Sequence, residues 1–249
     1  MTTILGCIGK AALINWAASV ERTMCVEAAA DLYEDLSLVP PGKRMSRPAY
    51  IATMQARLGR VKASKKELEK AAEIGSQAHA LVEWNIRRMM GQEPGPEPRC
   101  CDKAMWAFMA CEDWLKQVNM KPIAIEQVVF SMTHQYAGTM DLLAEVTNMG
   151  KRQRALIDWK TSKAVYPESY LQNAAYQIAL TEMGHGPVDC GIIVRLPKNE
   201  NDPEFEAIMV PPAETLFPVF LNVYGLWKWQ YENEKEYQAK REKEKEEAA

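Results

Sequence analysis

Two charged side chains near the middle of the chain stand at a spacing that suits chemistry on a phosphate. In Arg154-Ala-Leu-Ile-Asp-Trp-Lys160 an apolar run ends in a carboxylate and an ammonium two residues apart. As a β-strand, this run places Asp158 and Lys160 on one face and turns Trp159 to the other. No other lysine in the chain has an acid two residues before it, so the pair is not a by-product of charged composition. A second carboxylate, Asp141, lies 17 residues upstream, directly after Ala137-Gly-Thr-Met140. If the two strands pair, the three groups converge. Two carboxylates suit one or two hard divalent cations, Mg²⁺ or Mn²⁺, which prefer oxygen ligands. An ammonium beside them suits orienting or deprotonating a water, or stabilising negative charge at phosphorus. In isolation a D-x-K is more often a surface salt bridge on a hairpin, so the surrounding elements decide its meaning.

Periodicity indicates which elements position these groups. Residues 123–130 and 136–146 alternate as two antiparallel strands around a turn near His134, and the turn at 147–151 leads to the third strand, 154–160. Residues 167–183 read as a helix carrying Gln172 and Tyr176 on one face. The nearly continuous apolar run 189–196 reads as a strand buried on both faces, with 204–210 as its partner. A helix follows from 211 to 235, and the mixed Glu, Lys and Arg residues of 236–249 form a charged tail, an exposed helix that frays. Before the strands, Thr2-Thr-Ile-Leu5 reads as a strand-like start. A helix then runs from Ala11 to about Leu36, and Pro40-Pro-Gly42 breaks it. Pro48 suits the first turn of the next helix. Ser64-Lys-Lys-Glu67 has the form of a capping box at the head of a long helix reaching about Met90. On that helix Gly75 and His79 share a face, with the glycine admitting a neighbouring backbone. A rigid loop at 91–98 and an amphipathic helix at 103–118 complete the helical part. This predicts one α/β domain over residues 1–235: 1–120 mainly helical, 121–210 the sheet core and 211–235 a C-terminal helix.

Composition excludes several classes. A chain of 249 residues with 47% hydrophobic content can bury a sizeable core. No run approaches the length of a membrane span and no signal-peptide pattern opens the chain, so no membrane association and a cytoplasmic setting, bacterial or phage-infected, are expected. Cys7, Cys25, Cys100, Cys101, Cys111 and Cys190 form no C-x-x-C pair, which predicts reduced thiols and neither zinc nor an iron–sulfur cluster. A net charge of −3 argues against non-specific coating of nucleic acid, but the charge is uneven. Between Leu36 and Lys66 there is no acid, while Lys43, Arg44, Arg47, Arg57, Arg60, Lys62, Lys65 and Lys66 give eight positive charges. The first six are candidates to hold a phosphate backbone; a solvated basic face balanced by acids elsewhere is the alternative.

In order, Gly75-x-x-x-His79, Glu126, Gly138-Thr-Met-Asp141, Ile157-Asp-Trp-Lys160 and Gln172-Asn-Ala-Ala-Tyr176 resemble the PD-(D/E)xK nuclease superfamily, specifically its RecB-like exonuclease branch of phage-type and mitochondrial genome maintenance exonucleases. The resemblance covers His79 to Tyr176 by motif, and Thr2 to about Trp229 more loosely. It implies a restriction-endonuclease-like core, a mixed central β-sheet flanked by helices and preceded by a helical N-terminal region. It further implies Asp141 and Asp158 as metal-binding carboxylates, the backbone carbonyl of Trp159 and His79 as further metal contacts, and Glu126 as a ligand or supporting carboxylate. Lys160 would be the catalytic lysine, with Gln172 and Tyr176 holding the active site and the DNA backbone. The implied function is a metal-dependent DNA exonuclease acting on DNA ends or single strands in recombination, repair or phage genome processing, with a recombinase or single-strand-binding protein as partner. A resolvase-like endonuclease and a non-catalytic DNA-binding protein on the same fold are the alternatives. Met140 stands where the superfamily's name has proline, although G-T-x-D is common in this branch. Members with an iron–sulfur cluster use a late group of three cysteines; here only Cys190 follows Tyr176, so that cluster cannot be built.

Overall fold

The alternating segments pair into one mixed sheet. The computed structural model describes residues 2–8, 11–39, 45–59, 62–148, 151–202 and 204–247. Its strands are β1 (Met120–Ser131), β2 (Tyr136–Asn148), β3 (Lys151–Lys160), β4 (Cys190–Arg195) and β5 (Glu206–Val210), lying side by side in chain order. All neighbours are antiparallel except β3 and β4. A parallel pair needs a crossover, which the helix at Pro167–Glu182 supplies. The α/β class and the helical N-terminal region are as the sequence predicts.

The chain divides into two compact units, Met1–Ile8 with Ile74–Ala249, and Gly9–Glu73. In the first, the helices are α1 (Thr2–Leu5), the later part of α4 (Ala63–Met89), α5 (Asp102–Gln117), α6 (Pro167–Glu182) and α7 (Ala213–Glu247). Helices cover both faces of the sheet. On one, Leu81, Ile86, Phe108 and Trp114 of α4 and α5 pack on Leu142, Ala144, Ile157 and Trp159. On the other, Leu171, Leu180 and Phe220 of α6 and α7 pack on Val129, Leu143 and Leu156. This two-sided cover explains why β3 is buried continuously from Ala155 to Trp159. Among the described residues no helix is long and apolar enough to cross a membrane.

Two local readings are corrected. Thr2–Leu5 is a helical turn, not a strand, because the adjacent Ile4 and Leu5 are both buried in the cluster with α6 and α7, whereas a strand would send them to opposite faces. The capping box at Ser64 is replaced by a cap from outside the helix. α4 starts one residue earlier, and the Glu21 carboxylate accepts the N–H of Ala63 (3.2 Å), the N–H of Ser64 (2.9 Å) and the Ser64 hydroxyl (2.8 Å). Glu21 belongs to α2 (Ala11–Ser37), which forms the second unit with α3 (Arg47–Leu58) and the start of α4. The charged residues past 235 are helical, as the sequence reads them: α7 continues to Glu247, with Glu236, Lys240 and Glu244 at the four-residue spacing that supports an exposed helix. Pro48 does sit in the first turn of α3, behind a Ser46 cap. Pro40-Pro-Gly42 lies outside the described residues.

Two outcomes follow from this packing. At Gly191 an added Cβ would lie 2.1 Å from Oδ1 of Asn173, a fully buried side chain whose amide donates to the Leu156 carbonyl at 3.3 Å. Gly191→Ala therefore forces α6 off β4, and its denaturation midpoint should fall by the equivalent of about 2 kcal/mol; an unchanged midpoint would mean this contact is not made. In the second unit, Glu21→Ala should speed hydrogen exchange at Ala63 and Ser64 without changing it in β3. The Ser64 N–H above all holds the Glu21 carboxyl below its ordinary range. Its cap is therefore present at neutral pH and lost as pH falls through that lowered value, so exchange in the wild type should approach that of the variant in acid.

Candidate active site

The site begins where β2 and β3 separate. Their ladder runs from Asn148 opposite Lys151 to Leu142 opposite Ile157, and at the next step a side chain takes over: the Trp159 N–H donates to Oδ2 of Asp141 at 2.7 Å. β3 meanwhile stays paired with β4 through Lys160 opposite Arg195. Asp141 is thereby fixed to the strand that carries Asp158 and Lys160.

Those two share a face, as the two-residue period requires, and form an ion pair. It is not the surface pair that a lone D-x-K usually makes, since Asp158 is 4% exposed. Burial pushes the Asp158 carboxyl above its ordinary range, with the Lys160 ammonium opposing. Burial also works to lower Lys160, but the charges of Asp158 and Asp141 outweigh it and hold the amine protonated. The ammonium reaches Oε1 of Gln172 at 3.5 Å, and the Gln172 amide donates to the Tyr176 hydroxyl at 3.1 Å. One turn of α6 separates Gln172 and Tyr176, so both face β3. The Tyr176 hydroxyl also accepts the Thr139 N–H, and burial above all raises it to about 12, which keeps it a phenol. An added Cβ on Gly138 would lie 2.4 Å from that oxygen. The glycine of Gly138-Thr-Met-Asp141 is required for space.

α4 closes another side. At Gly75 an added Cβ would approach Oγ1 of Thr161, just past β3, to 3.1 Å, so the neighbour there is a side-chain hydroxyl and not the backbone that the sequence predicts. One turn later Nδ1 of His79 lies 3.8 Å from Oδ1 of Asp141. The fourth member of the cluster is Glu126. Ile125 pairs with Leu142 and Gln127 with Met140, which sets Glu126 across from Asp141, and its backbone takes the left-handed conformation at φ +47°. Here both strands change face. Ile125 and Leu142 belong to the core under α4 and α5, whereas Val129 and Met140 belong to the core under α6 and α7. Strict alternation would keep each pair together, so the irregularity re-aims the side chains, as strand bulges do beside active sites. As a result, a ligand atom of each of His79, Glu126 and Asp141 lies within 4.8 Å of the others. Burial first, and then the Asp141 charge, push the Glu126 carboxyl up to about 7.

The structure thus gathers His79, Glu126, Asp141, Asp158, Lys160, Gln172 and Tyr176. The backbone of Trp159 contributes its N–H to Asp141, while its indole packs edge-on to Trp114 at 5.2 Å in the core. The basic residues fall in the other unit. Arg47, Arg57 and Lys62 are exposed, Arg57 is paired with Asp35, and Lys43, Arg44 and Arg60 lie outside the described residues. One participant had no motif to mark it: Glu83, which with its partner Arg87 acts electrostatically on Glu126. The four-residue series Gly75, His79, Glu83, Arg87 on α4 was a signal for it.

No protein-family model matches the chain, and no curated protein matches its sequence. Among solved structures it is similar to a crystal structure from Eubacterium rectale that bears the name "Putative exonuclease", with 13% identity and a TM-score of 0.37 over 74% of this chain and 76% of the other.

Proposed function

We propose that this chain is a divalent-metal-dependent deoxyribonuclease that works as an exonuclease, on DNA ends or single strands. The observation that carries the reading is the meeting of His79, Glu126 and Asp141 within 4.8 Å, beside a buried Asp158–Lys160 pair. One imidazole and several carboxylates without a thiolate suit Mg²⁺ or Mn²⁺. His79, Glu126, Asp141 and Asp158 would hold the ion, with the Trp159 carbonyl as a further contact. A bound cation of this kind supplies Lewis acidity toward a phosphate oxygen and a lowered pKa for water.

The chain's own residues account for the rest. Lys160, held as an ammonium, presents a fixed positive charge to a phosphate whose oxygens gain negative charge during hydrolysis. Gln172 keeps the amine from swinging away, and Tyr176, wedged against Gly138 and bonded to the Thr139 N–H, keeps Gln172 in place. The basic block, including Arg47 and Lys62, would offer phosphate contacts along a bound strand. A phosphate suits this site better than a sugar, where two carboxylates would act as acid and base without an ammonium between them.

End-labelled linear single-stranded, linear duplex and closed circular DNA should be incubated with Mg²⁺ or Mn²⁺, and with EDTA. Loss of linear DNA alone, abolished by EDTA and reduced about a thousandfold by Lys160→Ala, is the expected result. Cleaved circles would replace the exonuclease with an endonuclease, and a wild type that cuts no DNA with either ion would overturn the reading. Gly138→Ala tests the positioning chain separately. Displacing the buried Tyr176 ring should cost about 2 kcal/mol of stability, as at Gly191, and lower the rate of the folded variant by about a hundredfold. Unchanged turnover would mean that Tyr176 does not position Gln172.

A further inference from the structure

On the nuclease reading the site would hold a metal and one phosphate, but a DNA strand brings further phosphates. β3 and β4 form the parallel pair, and in open α/β sheets ligands lie beyond the carboxyl ends of parallel strands. Just beyond those ends stand two lysines. Lys163 is three residues past Lys160, exposed on the loop closed by the Ser162 hydroxyl on the Ala164 carbonyl at 2.7 Å. Lys198 is two residues past Leu196, whose N–H donates to the Lys160 carbonyl at 2.7 Å. Both loops therefore start from the catalytic lysine's own backbone.

A third lysine comes from another element. Lys103 is exposed in the first turn of α5, and the start of that helix is tied to α4 where the Cys101 N–H donates to Oε1 of Gln77 at 2.8 Å, two residues before His79. Lys198 lies within electrostatic reach of the other two: burial lowers it most, and repulsion from Lys103 and Lys163 adds to that against the opposing pull of Asp202. The Asp202 carboxylate is already engaged, accepting the Lys198 N–H at 2.9 Å and the Asn199 amide at 3.3 Å. Asp102, beside Lys103, answers the positive end of its own helix. Like charges held together around a half-buried lysine repel, and an anion between them removes the repulsion.

We propose that Lys163, Lys198 and Lys103 form an anion subsite that holds the phosphate of a neighbouring nucleotide on the substrate strand. This rests on the nuclease reading and adds to it the side of the metal cluster along which the DNA backbone runs. In single-stranded DNA each lost phosphate contact lowers the slope of log affinity against log salt by about 0.7.

The test measures binding of a fluorescein-labelled single-stranded oligonucleotide by anisotropy across a salt series in EDTA, where the strand stays intact. Wild type is compared with Lys163→Gln/Lys198→Gln, with Lys163→Arg/Lys198→Arg, and with Lys116→Gln, which removes an equal kind of charge elsewhere on α5. The proposal expects about tenfold weaker binding and a shallower salt slope for the glutamine pair, retention for the arginine pair, and near wild-type behaviour for Lys116→Gln. An unchanged slope in the glutamine pair, or an equal loss in Lys116→Gln, overturns the subsite while the digestion assay still supports the nuclease. A wild type that neither binds nor cuts DNA overturns both.

Discussion

Asp158 meets the half-buried Lys160 with its carboxylate out of water, and an ion pair in that position loses more hydration than its attraction returns unless its remaining hydrogen bonds are met and its geometry is fixed. Much of the surrounding structure serves that requirement. β4 holds the outer edge of β3 to its last residue, Asp141 occupies the inner edge through the Trp159 N–H, and Gln172 comes down from α6 onto the ammonium. Removing the ammonium would leave the Asp158 carboxylate stranded in the protein interior, so the pair is poorly explained as a stabilising device. Its use lies in presenting a fixed cation beside a group of carboxylates.

Two glycines show how tightly this arrangement is built. Gly138 and Gly75 have no unusual backbone angle; each is needed because a neighbour fills the place of its side chain, the Tyr176 hydroxyl in one case and the Thr161 hydroxyl in the other. The local strain is elsewhere, at Glu126, where a non-glycine residue holds a positive φ. Such a conformation persists only when its surroundings determine it. Here Ile125 on one side and Val129 on the other are each locked in a different half of the core, which leaves the chain between them to turn and point its carboxylate at Asp141.

Features set by local spacing were legible in the sequence. The two-residue period gave Asp158 and Lys160 a common face, and the four-residue period did the same for Gly75 with His79 and for Gln172 with Tyr176. The strands and the crossover helix followed from alternation and from the solid apolar run at β4. What could not be read depends on partners distant in the chain. Nothing near Ser64 announces that Glu21 will take its N–H and its hydroxyl, and nothing in Thr2–Leu5 announces that Ile4 and Leu5 will share one apolar cluster. Glu126 had a candidate role, but the change of face that delivers it requires both strands to shift together, which no single-strand pattern records.

The charges at the site do not balance among themselves. Glu126, Asp141 and Asp158 bring three carboxylates against the one ammonium of Lys160. With all of them ionised, the cluster would repel the phosphate that the lysine is placed to attract. Part of that excess is already visible as proton affinity, since burial and the Asp141 charge raise Glu126 to about 7. A proton there relieves the crowding of negative charge but neutralises only one unit of a surplus of two. A divalent cation matches the full surplus and needs both Glu126 and Asp141 ionised, so proton and metal compete for the same oxygens. Charge balance and ligand geometry thus point to the same occupant by separate routes, and with it in place an anion would meet Lys160 without a surplus of negative charge beside it.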